Sequence, residues 1–120
     1  MILILTKDLM MSSSAGAAAR AKGLALESIP SVTKLESRLS DQPSVKLLLI
    51  DLQMPGLNFE QLSSVVQALD QEGGPTTIAY AQHVNVDLIE QAKAAAFDQV
   101  LTRGQLNASL EQLMAQYGAA

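Results

Sequence analysis

Apolar residues along this chain follow two rhythms that alternate from end to end. Short uninterrupted runs, 2–5 and 47–50 above all, read as strands buried on both faces, as in a parallel sheet. Between them, apolar residues recur every three or four positions, which marks helices that lay one face on a core. Phe59, Leu62, Val65, Val66 and Leu69 form the clearest such stripe, and Gly73-Gly74-Pro75 stops it.

Read this way, the chain predicts strands over 2–5, 24–29, 44–51, 76–81 and 99–101, and helices over 10–22, 31–39, 59–69, 86–95 and 106–117. Gly23 suits the left-handed residue that closes the first helix, and Ser31 and Asn85 are candidate N-caps for the second and fourth. Asp41-Gln42-Pro43 separates the second helix from the third strand. Five strand–helix units in strict alternation predict a layered α/β domain around a mostly parallel sheet.

Composition narrows the function classes. The 120 residues suit one domain, 1–120, and 48% apolar content is enough for one continuous core. Eight basic against twelve acidic side chains give a formal charge of −4 with no basic block, so the electrostatic footprint of a nucleic-acid binder is missing. No cysteine occurs, which rules out disulfides and cysteine metal sites. Met1 runs straight into a short apolar strand, so the expectation is a cytoplasmic protein with neither signal peptide nor membrane span.

Candidate chemistry centres on Leu47-Leu48-Leu49-Ile50-Asp51-Leu52-Gln53-Met54-Pro55-Gly56, where a carboxylate ends a buried strand just before a turn. In open α/β sheets the carboxyl edge of the strands is where ligands gather. This run, in this order of elements, resembles the receiver domains of bacterial two-component response regulators, over essentially the whole chain. The resemblance implies a flavodoxin-like (βα)5 sandwich with strand order 2-1-3-4-5. It implies Asp51 as the position a histidine kinase would phosphorylate, with Mg²⁺ as the family's companion ion. It also implies protein partners, a histidine kinase or an output domain, and homodimer or output surfaces around the fifth strand at 87–93 and 106–113.

Several companion positions depart from the family. The acidic pair that holds Mg²⁺ after the first strand is replaced by Thr6 and Lys7, with Asp8 one residue on. The hydroxyl residue ending the fourth strand aligns with Ala81, whose methyl donates nothing. The Lys-Pro pair after the fifth strand reads Arg103-Gly104, and the switching aromatic is Val100. Asn58-Phe59 stands for the usual Asp-Gly, and Ala96 for a helix-ending Gly. The expectation is therefore a pseudo-receiver that acts by protein interaction, is not an enzyme and holds no cofactor. Asp51 would be ion-paired to Lys7 or Arg103 in a pocket that includes Gln53.

Two readings stand beside it: an atypical phosphoacceptor at Asp51 that works by a weakly metal-dependent route with Arg103 standing in for the lysine, the one reading in which Mg²⁺ enters, and a flavin or nucleotide binder. The last lacks G-x-G-x-x-G, a P-loop and an aromatic sandwich. The hydroxyls of Ser12-Ser13-Ser14 could cradle an anion, though small residues there more simply let a helix lie close to the sheet. His83 has no Ser, Cys or second His beside it and reads as a solvated loop residue.

Overall fold

The computed structural model describes residues 1–41, 44–70 and 73–118. Its elements are β1 (Ile2–Leu5), α1 (Leu9–Ala21), β2 (Leu26–Ile29), α2 (Val32–Asp41), β3 (Leu47–Asp51), α3 (Phe59–Leu69), β4 (Thr76–Ala81), α4 (Val86–Lys93), β5 (Gln99–Thr102) and α5 (Arg103–Leu113). A π-helical turn, Met114–Gly118, follows α5. The five strands are parallel in the order β2-β1-β3-β4-β5. That is the expected topology.

Strand parity divides the interior into two layers, because successive side chains of a strand point to opposite faces. Leu3, Leu5, Leu48, Ile50, Ala79 and Ala81 join residues of α2, α3 and α4 on one side. Ile2, Ile4, Leu47, Leu49, Ile78 and Tyr80 join α1 and α5 on the other. The central strands β1 and β3 are buried along their whole length, which is why their sequences are unbroken aliphatic runs. On α1 the buried positions are Met11, Ala15, Ala18 and Ala19, so the small residues bring this helix close to the sheet.

Boundaries moved where a cap decided them. Helix α1 starts at Leu9 because Asp8 accepts from the Met10 and Met11 N–H groups. Helix α5 starts at Arg103, three residues earlier than its apolar stripe predicts. Thr102 and Gln105 form a reciprocal capping box there, at 3.1 and 2.9 Å. Ser31 and Asn58 cap α2 and α3 through the Lys34 and Gln61 N–H groups. Asn85, the candidate cap of α4, makes no side-chain cap bond.

Helix α4 ends at Ala94 in a right-handed conformation, with Ala95 N–H reaching Ala92 O, so Ala96 meets no left-handed strain. Among the described residues the left-handed ones are Gly23, Gly56 and Gly73. Gly56, at φ +79°, follows Pro55 in a type II turn closed by Leu57 N–H to Met54 O. The Gln42-Pro43 break lies outside the described residues.

One polar clamp holds the half-buried edge strand β5. Asp98 Oδ2 accepts from Thr77 N–H at 2.7 Å and from Thr77 Oγ1 at 3.2 Å, while Asp98 N–H reaches back to Thr77. Thr77 is buried, so losing the carboxylate strands two donors. Asp98→Ala is expected to lower stability by about 1–3 kcal/mol, read as a fall in the urea midpoint at unchanged slope.

Candidate functional site

The site forms where β1, β3 and β4 end. Parity sends Thr6, Asp51 and Tyr80 to the α1/α5 side of the sheet. The register pairs Leu5 with Ile50 and Asp51 with Tyr80, which brings the three together. Asp51 is nearly buried, at 9% exposure. Its Oδ2 accepts from Thr6 Oγ1 at 2.8 Å and its Oδ1 from Gln53 N–H at 2.9 Å. The Thr6 hydroxyl oxygen in turn accepts from Asp8 N–H at 3.0 Å.

Asp8 serves two elements at once. Its Oδ1 caps α1, and its Oδ2 accepts from Arg103 Nη2 at 2.7 Å and Nε at 3.3 Å. The Arg103 guanidinium holds the Asp8 carboxyl below the ordinary carboxylate value, helped by the Met10 and Met11 N–H groups. The ammonium of Lys7 donates to Pro55 O at 3.3 Å across the cleft.

A cavity of about 380 Å³ opens above this cluster, walled by Lys7, Asp8 and Arg103 on one side and by Pro55, Gln53 and Gln82 on the other. Gln53 Oε1 accepts from Gln82 N–H and so ties the β3 and β4 loops together. Tyr80 also lines the cavity and is 2% exposed, and its phenol oxygen has no hydrogen-bond partner. The Thr6 hydroxyl beside it is already spent on Asp51 and Asp8. Burial pushes the phenol above its ordinary value, and the charges of Asp51 and Asp8 push the same way.

Several solved structures similar to this chain are receiver domains. The response regulator receiver protein from Burkholderia phymatum is 22% identical, with a TM-score of 0.73 over 99% of this chain and 95% of its own. The receiver domain of NtrX from Brucella abortus is 11% identical, with a TM-score of 0.78 over 97% and 96%. A beryllofluoride-activated NtrC4 receiver domain dimer is 13% identical, with a TM-score of 0.72 over 96% of each chain. This chain has the receiver-domain fold. No family model and no curated protein matches it.

Within that receiver fold, the cavity gathers Lys7, Asp8, Asp51, Gln53 and Arg103, with Thr6 beneath them, and corrects three expectations. Ala81 is not at the cavity: it is one residue out of phase with Asp51 and packs in the opposite layer. Tyr80 is the β4 residue that lines the cavity, on the face of the sheet that carries Asp51. The signal that finds it is parity, since only β4 residues in register with Asp51 share its face. The third correction concerns charge. Asp51 is not held by Lys7 or Arg103, because Asp8 intercepts Arg103 and Pro55 O takes Lys7.

The remaining candidates lie apart from the cavity. Ser12 bonds to the Ser28 hydroxyl at 3.1 Å, and Asp8 occupies the free N–H groups at the start of α1, which closes that end to an anion. His83 is exposed in the loop after β4.

The receiver resemblance implies Mg²⁺, a hard cation that wants several carboxylate and water oxygens. Here the carboxylates at the cavity are Asp51 and Asp8, the latter committed to Arg103 and the α1 cap, with an ammonium on the same loop. Among the described residues no three His, Cys, Asp or Glu side chains cluster. These residues do not fit Mg²⁺.

Two outcomes test this arrangement. Asp8 is depressed in the folded state, so its contribution is present above about pH 4, the unfolded value, and is lost as pH falls through the lower folded value. Asp8→Asn keeps a capping oxygen but loses the ion pair. Because both side chains are about a third exposed, the expected cost at pH 7 is below about 1 kcal/mol, and the gap from wild type should close in acid titration of the melting temperature. Tyr80→Phe removes an unpaired buried hydroxyl at constant shape, so thermal unfolding should show stability unchanged or raised by up to about 1 kcal/mol.

Proposed function

We propose that this chain is a receiver-fold signalling module that works by binding other proteins, a pseudo-receiver without Mg²⁺-dependent phosphorylation. One observation carries the reading: both oxygens of Asp51 are engaged by the Thr6 hydroxyl and the Gln53 N–H, on a floor where Lys7 replaces an acid. A carboxylate so held is a structural tie between β1 and β3 more than a poised acceptor. Without a divalent ion, charge on a transferring phosphoryl group would lack a contribution of several kcal/mol. The module is not an enzyme in this reading and needs no cofactor.

Partners of the expected kind are a histidine kinase or an output domain. The surface that supports this is the α4–β5–α5 side. There β5 is half-buried along its whole length, and α4 contributes only Ala92 to the fully buried core. Self-association through the same side is part of the proposal, in keeping with the dimer formed by one structural neighbour. Among the described residues no helix is long and apolar enough to cross a membrane, which suits a cytoplasmic role.

A second reading keeps Asp51 as an atypical phosphoacceptor. Its support is that the carboxylate borders an open cavity whose wall includes the cation Arg103. A flavin or nucleotide binder has less support, since the aromatic at the cavity, Tyr80, is buried in the core layer and offers no ring to stack on. The deciding experiment is incubation with a small phosphodonor and Mg²⁺ followed by intact mass. The proposal expects an unchanged mass; a gain of one phosphoryl group that disappears in Asp51→Asn would establish the second reading instead.

A further inference from the structure

Strand β2 is an outer strand of the sheet, and its backbone groups divide by parity. Ile2 N–H donates to Ala25 O and Thr6 N–H to Ile29 O, while the parallel register sets Ile2 beside Leu26 and Ile4 beside Ser28. The odd-numbered residues of β2 therefore serve β1. Leu26 and Ser28 turn their N–H and C=O groups outward, where no described strand meets them. Such an edge is a template for another strand unless a bare charge, a proline within the strand or a covering element blunts it. Pro30 follows the strand instead of interrupting it, Ser28 is exposed, and the charge of Glu27 is already met by Arg38 of α2, at 2.6 and 2.9 Å.

The phasing of this edge suits a second copy of the chain. Antiparallel β2 strands related by a two-fold axis at Glu27 would set Leu26 opposite Ser28 of the second copy, and residues so placed exchange both backbone bonds. No outward group is then left over. Glu27 would face Glu27 of the second copy in a pair without backbone bonds, so both carboxylates and both Arg38 guanidiniums would meet at the axis. Alternating signs close that ring, because Arg38 directs Nε and Nη2 to its own Glu27 and keeps Nη1 for the carboxylate across the axis. A cavity of about 270 Å³ beside the ion pair, walled by Ile29, Pro30 and Lys34, lies where Ala25 of the second copy would come opposite Ile29.

We propose that this chain self-associates through β2, joining two five-stranded sheets across a two-fold axis at Glu27, with Leu26 and Ser28 making the backbone bonds and the Glu27–Arg38 pairs fixing the register. The charges are self-complementary, so they select another copy of this edge over an unrelated strand. Strand β5 forms the opposite edge. Association through β2 therefore leaves the α4–β5–α5 side open to the partners proposed above, and it stands or falls separately from self-association there.

Sedimentation equilibrium of the full chain tests it, and the wild type should show a concentration-dependent dimer. Ser28→Pro removes an N–H that β1 does not use, at an edge position where proline is tolerated. Its melting should stay cooperative while the dissociation constant rises about tenfold or more. Charge reversal separates association from the bond within one chain. Glu27→Arg alone and Arg38→Glu alone should each sediment as monomers, whereas their equimolar mixture should form a heterodimer, since opposite charges then face each other across the axis. That mixture decides whether or not Ser28→Pro folds. A wild type that stays monomeric at millimolar concentration, or a charge-reversed mixture that does not associate, would overturn the proposal. A dimer untouched by Ser28→Pro would overturn it as well, while leaving self-association through the α4–β5–α5 side standing.

Discussion

The site turns on the hydroxyl of Thr6. It donates to the Asp51 carboxylate and accepts from the Asp8 N–H, so one side chain joins the end of β3 to the loop that launches α1. A carboxylate at 9% exposure needs such bonds, since burying it unpaired costs far more than the net value of any single hydrogen bond. The sheet supplies the geometry. Thr6 N–H continues the ladder to Ile29 O at 3.0 Å, and Leu52 N–H continues it to Tyr80 O at 3.0 Å, so both strand ends are held in place. The Thr6 to Asp51 bond is thus made between two fixed backbones and costs little entropy beyond what the sheet has already lost.

From that node the charges arrange themselves in sequence. Asp8, placed by its own N–H, becomes the cap of α1 and at the same time the partner of Arg103, which joins the first and last helices of the α1/α5 layer. Arg103 is held near the cavity without neutralising Asp51. Lys7, turned to Pro55 O, bridges the cleft at its rim. The pocket therefore holds two carboxylates, Asp51 and Asp8, with Lys7 and Arg103 beside them.

The two layers have different tolerances. On the α1/α5 side, alanines let α1 approach the sheet, and Gly118 in the terminal π-helical turn lies so close to Ile2 that a Cβ there would sit 2.9 Å from its Cδ1. On the other side α4 is a short helix with one fully buried residue, next to a half-buried β5 held by the Asp98 to Thr77 clamp. Exposed Val84 and Val86, at 71% and 59%, mark the start of α4 as apolar surface. An element with few buried contacts has low local stability.

The chain's own periodicities determined the architecture. Aliphatic runs such as 2–5 and 47–50 can satisfy a parallel sheet and little else, and the stripe at Phe59, Leu62 and Val66 can serve a helix on that sheet, so order and topology were legible. Asp51 was legible too, as a charge that ends an apolar run before a Met-Pro-Gly turn. Pairing was not. The strands at Ala81 and Tyr80 look alike in one dimension, and only the register with β3 sends the phenol to the pocket and the methyl to the opposite layer. Likewise Asp8 and Arg103 stand 95 residues apart, and no spacing rule links them. Side-chain bonds of this kind depend on distances of a few ångströms between separate elements, and those distances exist only once the sheet has closed.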